Sequence, residues 1–471
     1  MVRNVASIRR FLARVSVASV LACGGSEPGN HETTTAGTAA TTDPTTTTAT
    51  TSTDTPTSTT TGDDPSTTAA TTVDPTTGEP TGDVTGDDPS PGCVPSEVPG
   101  GTLRWALGAG ALPGPGIQSV AGSPNGDTVV VGARDLYTPM ADAFVHVVDA
   151  AGQSRWSDLY TGKAGLADYA LGVAVDGEGF IHVLVRETIL QVQGDEETTD
   201  ARLVVLRYAP DGARVWRWER AHPPVMPGET FTPIGQIAVV DDDLALLEQI
   251  AGEPPRLVRL DRFGAVLSEV VFADLPPLST GSATIGRTGV HFVGKTEGAL
   301  DMWVARYSFA AEQVWSDQFA TDEFPYALVG GPDGATWIAW VLSQEWYPQY
   351  TLRRYEQGGA VAFTRDLDFG DFPGTVMASG LHCDGTLLLA GGVYGVAEPK
   401  DLLSDRKDVW TARHDADGAH LWTHAQPLGQ QFKNAEARRI VGAPDGDVLV
   451  IAEFAVDEST YAIWLGRVAG G

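Results

Sequence analysis

One pattern recurs along this chain. Leu206 to Trp216 reads LRYAPDGARVW, and its shape returns as TARHDADGAHLW (Thr411 to Trp422), VHVVDAAGQSRW (Val145 to Trp156), VARYSFAAEQVW (Val304 to Trp315), LRRYEQGGAVAF (Leu352 to Phe363) and LVRLDRFGAVLS (Leu257 to Ser268). Each copy is a short β-branched and aromatic run, a turn on glycine or its equivalent, and a second run that usually carries an aromatic. Four residues past each turn stand Trp105, Trp156, Trp216, Ser268, Trp315, Phe363 and Trp422. The interval averages about 53 residues, slightly longer than common four-stranded propeller blades.

A second turn series runs upstream of the first and in phase with it. It comprises SPNGDTVVVG from Ser123, VDGEGFIHVLV from Val175, VVDDDLALLE from Val239, GRTGVHFVG from Gly286, GPDGATWIAW from Gly331, CDGTLLLAGG from Cys383 and APDGDVLVIAEF from Ala443. Each unit therefore reads strand a, tight turn, strand b, longer loop, strand c, tight turn, strand d. Seven units follow, all-β, with no long helical pattern. The last unit ends at strand c, YAIWLGRVAGG (Tyr461 to Gly471), while GGTLRW (Gly100 to Trp105) is a strand d with nothing before it. Pairing the two closes a ring and leaves neither end of the array open. The expectation is a seven-bladed β-propeller of four-stranded antiparallel blades, closed by its N-terminal strand.

These units resemble bacterial β-propeller repeat proteins, in which aliphatic-Gly-Asn/Asp-Gly hairpins alternate with G-x-x-x-W hairpins, often behind a lipoprotein signal. The resemblance covers Gly100 to Gly471 and bears on fold far more than on activity. The recurring aromatics are expected to fill the wedges between blades, and the turn glycines to supply positive φ.

The first 92 residues have another character. Arg3, Arg9, Arg10 and Arg14 precede the apolar run VSVASVLA, which ends at Cys23-Gly24-Gly25. This is an export signal at residues 1–22, and Val20-Leu21-Ala22-Cys23 resembles a lipobox. The resemblance implies that Cys23 is acylated, with Gly24 after it favouring export to the outer membrane. An ordinary secretory signal cleaved nearby is the alternative. Residues 23–92 form a Thr/Pro/Asp-rich tether. From Ser26 to Gly92 there is no Lys, Arg, Phe, Trp or Tyr, and the segment is too polar to offset the entropy of ordering. Residues 93–471 are the propeller domain.

Net charge is −30, and losing the four signal arginines lowers it to −34. Nucleic acid is excluded as a partner, because a binder presents a basic surface to phosphates. The partners expected are a membrane, through the lipid, and an unidentified protein or polysaccharide, with the protein itself a monomer.

Alternating strand direction puts every a-to-b and c-to-d turn on one face and every b-to-c and d-to-a connection on the other. The second face receives all the long connections: Arg186 to Arg202, Ala221 to Gly235, Ser343 to Tyr350, Gly391 to Asp408 and Glu453 to Tyr461. Function sits most often on such loops, and the ligand-binding candidates there are Tyr137, His222, Trp346, Tyr347, Tyr350, Tyr394 and Tyr461. Cys93 precedes the closing strand, and Cys383 lies in an a-to-b turn on the same short-turn face. In an oxidising compartment these two are expected to pair, the alternative being two unpaired thiols.

Catalytic signatures are missing. There is no H-E-x-x-H, C-x-x-C or G-x-S-x-G, and His420 and His424 share a strand at a spacing of roughly 13 Å, too wide for one metal. Asp241, Asp242 and Asp243 and the pair Asp176 and Glu178 read as turns rather than calcium ligands. No metal, cofactor or catalytic residue is assigned. The leading function is a surface-displayed, non-enzymatic binding or adhesion scaffold. The alternative is a glycoside hydrolase or polysaccharide lyase working at the central pore of the long-loop face, for which Glu196 with Glu197 is one candidate acid pair.

Overall fold

A computed structural model of the chain describes residues 93–94, 96–108, 112, 116–134, 141–162, 167–193, 196–222, 234–249, 253–296, 301–321, 323, 325–342, 349–367, 374–394, 407–428, 433–456 and 461–471. The strand that opens the fold is β1 (Leu103–Leu107). Blade 1 follows as β2 (Gly116–Gly122), β3 (Thr128–Arg134), β4 (Asp142–Val148) and β5 (Ser154–Tyr160), and blade 2 as β6 (Asp168–Val175), β7 (Ile181–Gln193), β8 (Glu196–Tyr208) and β9 (Arg214–Ala221). Blade 3 is β10 (Ile234–Val240), β11 (Asp243–Gln249), β12 (Arg256–Leu260) and β13 (Val266–Val271). Blade 4 is β14 (Leu278–Gly286), β15 (Gly289–Thr296), β16 (Asp301–Tyr307) and β17 (Gln313–Ala320). Blade 5 is β18 (Pro325–Gly330), β19 (Thr336–Leu342), β20 (Gln349–Tyr355) and β21 (Val361–Asp366), and blade 6 is β22 (Gly374–Leu381), β23 (Leu387–Tyr394), β24 (Lys407–His414) and β25 (His420–Gln426). Blade 7 holds β26 (Lys433–Gly442), β27 (Asp447–Ala455) and β28 (Tyr461–Ala469).

Seven four-stranded antiparallel sheets result, and the seventh has the order β1-β28-β27-β26. The ring therefore closes as expected, with Leu103 opposite Val468 and Leu107 opposite Leu465. Two backbone hydrogen bonds extend the seam, from Gly101 N to Ala469 O at 2.8 Å and from Ala469 N to Thr102 O at 2.8 Å. Apolar side chains on the middle strands pack between blades. Val183 and Val185 of β7 join Val129, Val131 and Val145 of blade 1, while Leu184 turns to Leu244 and Leu246 of blade 3. Alternation along one strand thus serves two neighbours.

The recurring aromatics lie on the outermost strands and cross to the next blade. The indole N–H groups of Trp105, Trp156, Trp216 and Trp422 donate to the carbonyls of Ala150, Pro210, Arg262 and Gly470 at 2.9, 3.1, 3.0 and 2.7 Å. The first three acceptors belong to c-to-d turns, where the ring covers the turn glycine, and Gly470 follows β28. At Gly212, with φ of 92°, a β-carbon would stand 2.9 Å from the Trp156 ring, so the turn needs glycine for both space and conformation. Trp315 is the buried variant, stacked on Tyr355 at 4.9 Å.

The exception lies between blades 3 and 4. There Ser268 replaces the aromatic, and the turn that an aromatic would cover carries Ala311 at φ 61° in place of glycine. Phe309, from that same turn, packs into the wedge instead, with the Arg259 guanidinium over its ring at 5.5 Å.

Cys93 and Cys383 form a disulfide, S–S 2.08 Å, across 290 residues of chain. It joins the segment entering β1 to the β22–β23 turn of blade 6. Val94 N also donates to Pro444 O of blade 7 at 3.1 Å.

One expected loop is a strand pair. The connection from Arg186 to Arg202 continues the β7–β8 ladder outward, from Glu187 opposite Arg202 to Gln193 opposite Glu196. Glu196 and Glu197 accordingly sit on β8 rather than in a loop. Asp241 and Asp242, with φ of 50° and 70°, form the tight turn between β10 and β11.

Candidate functional site

The short-turn face is occupied by an arginine system that sequence reading passed over. Strand c ends on Arg207, Arg259, Arg306, Arg354, Arg413 and Arg467 at equivalent positions in six blades. Four of them tie their blade to the next. Arg467, 1% exposed, donates to Asp447 at 2.8 Å, to Gly126 O of blade 1 at 2.6 Å, and to Asp445. Arg413 pairs with Asp384 and donates to Gly470 O and Gly471 O of blade 7 at 2.6 and 2.7 Å. Arg306 reaches Thr288 O and Gln357 O, each at 3.0 Å. Arg207 joins Asp176 at 3.2 Å and Arg262 O of blade 3. A guanidinium suits this work because its planar fork reaches a carboxylate and a carbonyl at once. Blade 1 has Val147 at that position, and Arg155 of β5 engages Asp127 instead.

Asp176 is also a turn residue, accepting from Glu178 N and Phe180 N at 3.1 and 2.8 Å. His382 lies beside the disulfide, with Nε2 3.0 Å from Gly446 O and Nδ1 2.8 Å from Asp384.

The long-loop face differs. Tyr137, Trp346 and Tyr347 lie outside the described residues, as do Cys23, the signal and the tether. Tyr350 on β20 is 2% exposed and meets Tyr326 edge-on at 5.8 Å inside the core between blades 5 and 6. Tyr394 ends β23 opposite Lys407, and Tyr461 begins β28 opposite Ala455. His222 follows β9 and is buried, its backbone N–H donating to Ala201 O at 2.9 Å. Burial, and then Arg220 and Arg256, push its pKa down to about 4. These four described candidates are spread over blades 2, 5, 6 and 7.

Two acids that no motif announced do come together. Asp168, first residue of β6, faces Glu187 of β7 in register, and both are buried, at 1% and 0% exposure. A β-carbon on Gly162 would stand 2.5 Å from Glu187 Oε1 and 2.9 Å from Asp168 Oδ1. The two carboxyls therefore both crowd the same side of Gly162. Gly162 N donates to Asp168 Oδ2 at 2.5 Å, Asp168 Oδ1 has no hydrogen-bond partner among the described residues, and Arg217 pairs with Glu187 at 3.0 Å. Burial raises the Asp168 pKa to about 6, with Glu187 and Asp142 adding repulsion. Asp168 therefore keeps its proton to a higher pH than an exposed carboxyl does. A second buried acid, Glu248, accepts from Arg220 at 3.3 Å, and Arg220 also meets Glu269. Strand register alone brings Asp168 to Glu187, so the signal lay in aligning β6 on β7.

No model of a known protein family matches the chain, and no curated protein does. Solved structures resemble it in fold. Kuenenia stuttgartiensis hydrazine synthase aligns at 13% identity and TM-score 0.43, over 72% of this chain and 92% of that one. A protein of unknown function from Dyadobacter fermentans aligns at 11% identity and TM-score 0.41, over 79% of this chain and all of that one, 100%. A europium-containing methanol dehydrogenase aligns at 10% and 0.36, covering 76% and 79%.

Proposed function

We propose that the protein is a binding scaffold that presents its long-loop face to a protein or polysaccharide, held at the outer membrane surface by an acylated Cys23 and the tether of residues 23–92. The observation that carries this reading is the inequality of the two faces. One is occupied by arginine ties, the disulfide and the entering chain; the other receives the b-to-c and d-to-a connections. A chain entering on the tied face would point the loops away from the membrane.

The test is binding of the mature protein to an array of neutral and acidic polysaccharides, beside a Trp346→Ala, Tyr347→Ala variant. Retention of a glycan by the native protein and its loss in the variant is the expected result; equal retention by both would move the site elsewhere. Anchoring is checked by mass spectrometry of the membrane fraction. A lipid on Cys23 as the first residue is expected, and a lipid-free N-terminus at another residue overturns it.

A second reading, glycoside hydrolysis or polysaccharide cleavage, draws support from Asp168 and Glu187, one acid raised toward neutrality and one held by Arg217. It requires that Asp168→Asn abolish release of reducing ends from a polysaccharide that the native protein degrades.

A further inference from the structure

The innermost strands line the axis of the ring, and six of the seven depart from regular pairing, five of them at the same level and β14 three residues farther from its turn. Register shifts fall between Ile117 and Ser119, Ala170 and Gly172, Leu278 and Thr280, Pro325 and Ala327, Val376 and Ala378, and Ala437 and Arg439. A bulge leaves one residue outside the ladder and re-aims the side chains beside it. Gln118 of β2 and Arg438 of β26 are two such extra residues. One side chain takes both of their carbonyls: Arg439 Nε donates to Gln118 O and Arg439 Nη1 to Arg438 O, each at 2.9 Å. Arg439 thereby bridges the innermost strands of blades 7 and 1.

Arg439 is exposed, yet desolvation, and then the neighbouring Arg438, lower its pKa. A side chain that is exposed and still crowded by protein stands in a narrow space. For a residue joining two innermost strands, that space is the central channel. Its neighbour is neutralised, since Arg438 meets Glu453 at 3.0 Å and Glu436 at 3.6 Å. Among the described residues no carboxylate pairs with Arg439, in a chain whose net charge is −30. Guanidinium has five N–H donors, and two are engaged here. The rest can fork onto a carboxylate, sulfate or phosphate.

We propose that the central channel is an anion-binding site in which Arg439 receives a carboxylate, sulfate or phosphate group small enough, or presented end-on, to enter. The site does not depend on the long loops: a propeller whose loops bind no polysaccharide still takes an anion at Arg439.

The test is calorimetric titration of the full mature protein with glucuronate, inorganic sulfate and inorganic phosphate, with glucose as the uncharged control. The anions bind and glucose does not. Arg439→Gln weakens the best anion by about ten-fold or more, Arg439→Lys by less, and Arg438→Gln changes it by less than about two-fold. Tighter binding of glucuronate than of sulfate assigns the site to an acidic sugar, and the reverse order to a sulfate or phosphate ester; either supports the proposal. Absence of anion binding at tens of millimolar, or equal affinity in native protein and Arg439→Gln, overturns it. Should the glutamine variant fail to fold, unchanged affinity in Arg439→Lys does the same.

Discussion

On the short-turn face a buried cation such as Arg467 has two carboxylates and a neighbouring blade's carbonyl within reach, whereas on the long-loop face the buried acid Asp168 has, among the described residues, no partner for one oxygen. The first arrangement gives its buried guanidiniums carboxylate or carbonyl acceptors. The second leaves an acid strained toward protonation, as expected where a site is kept for chemistry or binding rather than for cohesion. The same contrast explains how the ring is held. Blades cohere through apolar wedges along their length and through arginine ties gathered at the short-turn end, with Arg220 adding one from blade 2 to blade 3 at the other.

The largest effect should come from breaking a tie. Arg467→Met leaves Asp445 and Asp447 facing each other without their cation, and is expected to lower stability by about 3–5 kcal/mol. Denaturant unfolding measures this, and a loss below about 1 kcal/mol would mean that the ties are ornamental. Next comes Cys383→Ser, which frees the entering segment; the expected loss is about 2–5 kcal/mol, read as a lower melting temperature in the oxidised protein.

On the other face the sign reverses. Asp168 has a folded pKa near 6 against the usual 3.8, so it stabilises the fold below about pH 4 and loses that contribution as pH rises through 6. Asp168→Asn should therefore stabilise the protein by roughly 1–3 kcal/mol at pH 8 and by nothing near pH 3.5. A destabilised variant at pH 8 would place Asp168 among the cohesive charges and erase the contrast. The smallest effect is local. Ala311→Gly removes the left-handed strain at the c-to-d turn that no aromatic of the preceding blade covers, for a gain of about 1 kcal/mol. Its absence would show that Phe309 depends on the alanine.

The sevenfold plan and its closure were legible because turn glycines and outer-strand tryptophans obey local rules. Gly212 must be glycine where Trp156 covers it, and that constraint leaves a trace in the sequence. Arginine left a trace too, in LRY, VARY, LRRY and TARH, but the residue type reads as exposed until burial shows otherwise. The β7–β8 extension escaped because QGDEETTD lacks the apolar alternation of a half-buried strand. Bulges are single-residue insertions with no compositional mark, so Arg439 could not be told from Arg438 beside it. Tyr350 was misleading for a related reason: a tyrosine next to a polar loop looks available, and one residue of strand turns it inward.

The disulfide sets how the molecule bears a load. Tension arriving along the chain ahead of Cys93 passes through a covalent bond into blade 6 before it reaches the hydrogen bonds of β1. Shear at the seam is thereby shunted into the body of the ring, and a tug that would otherwise peel the closing strand away instead drags the whole disc as one piece.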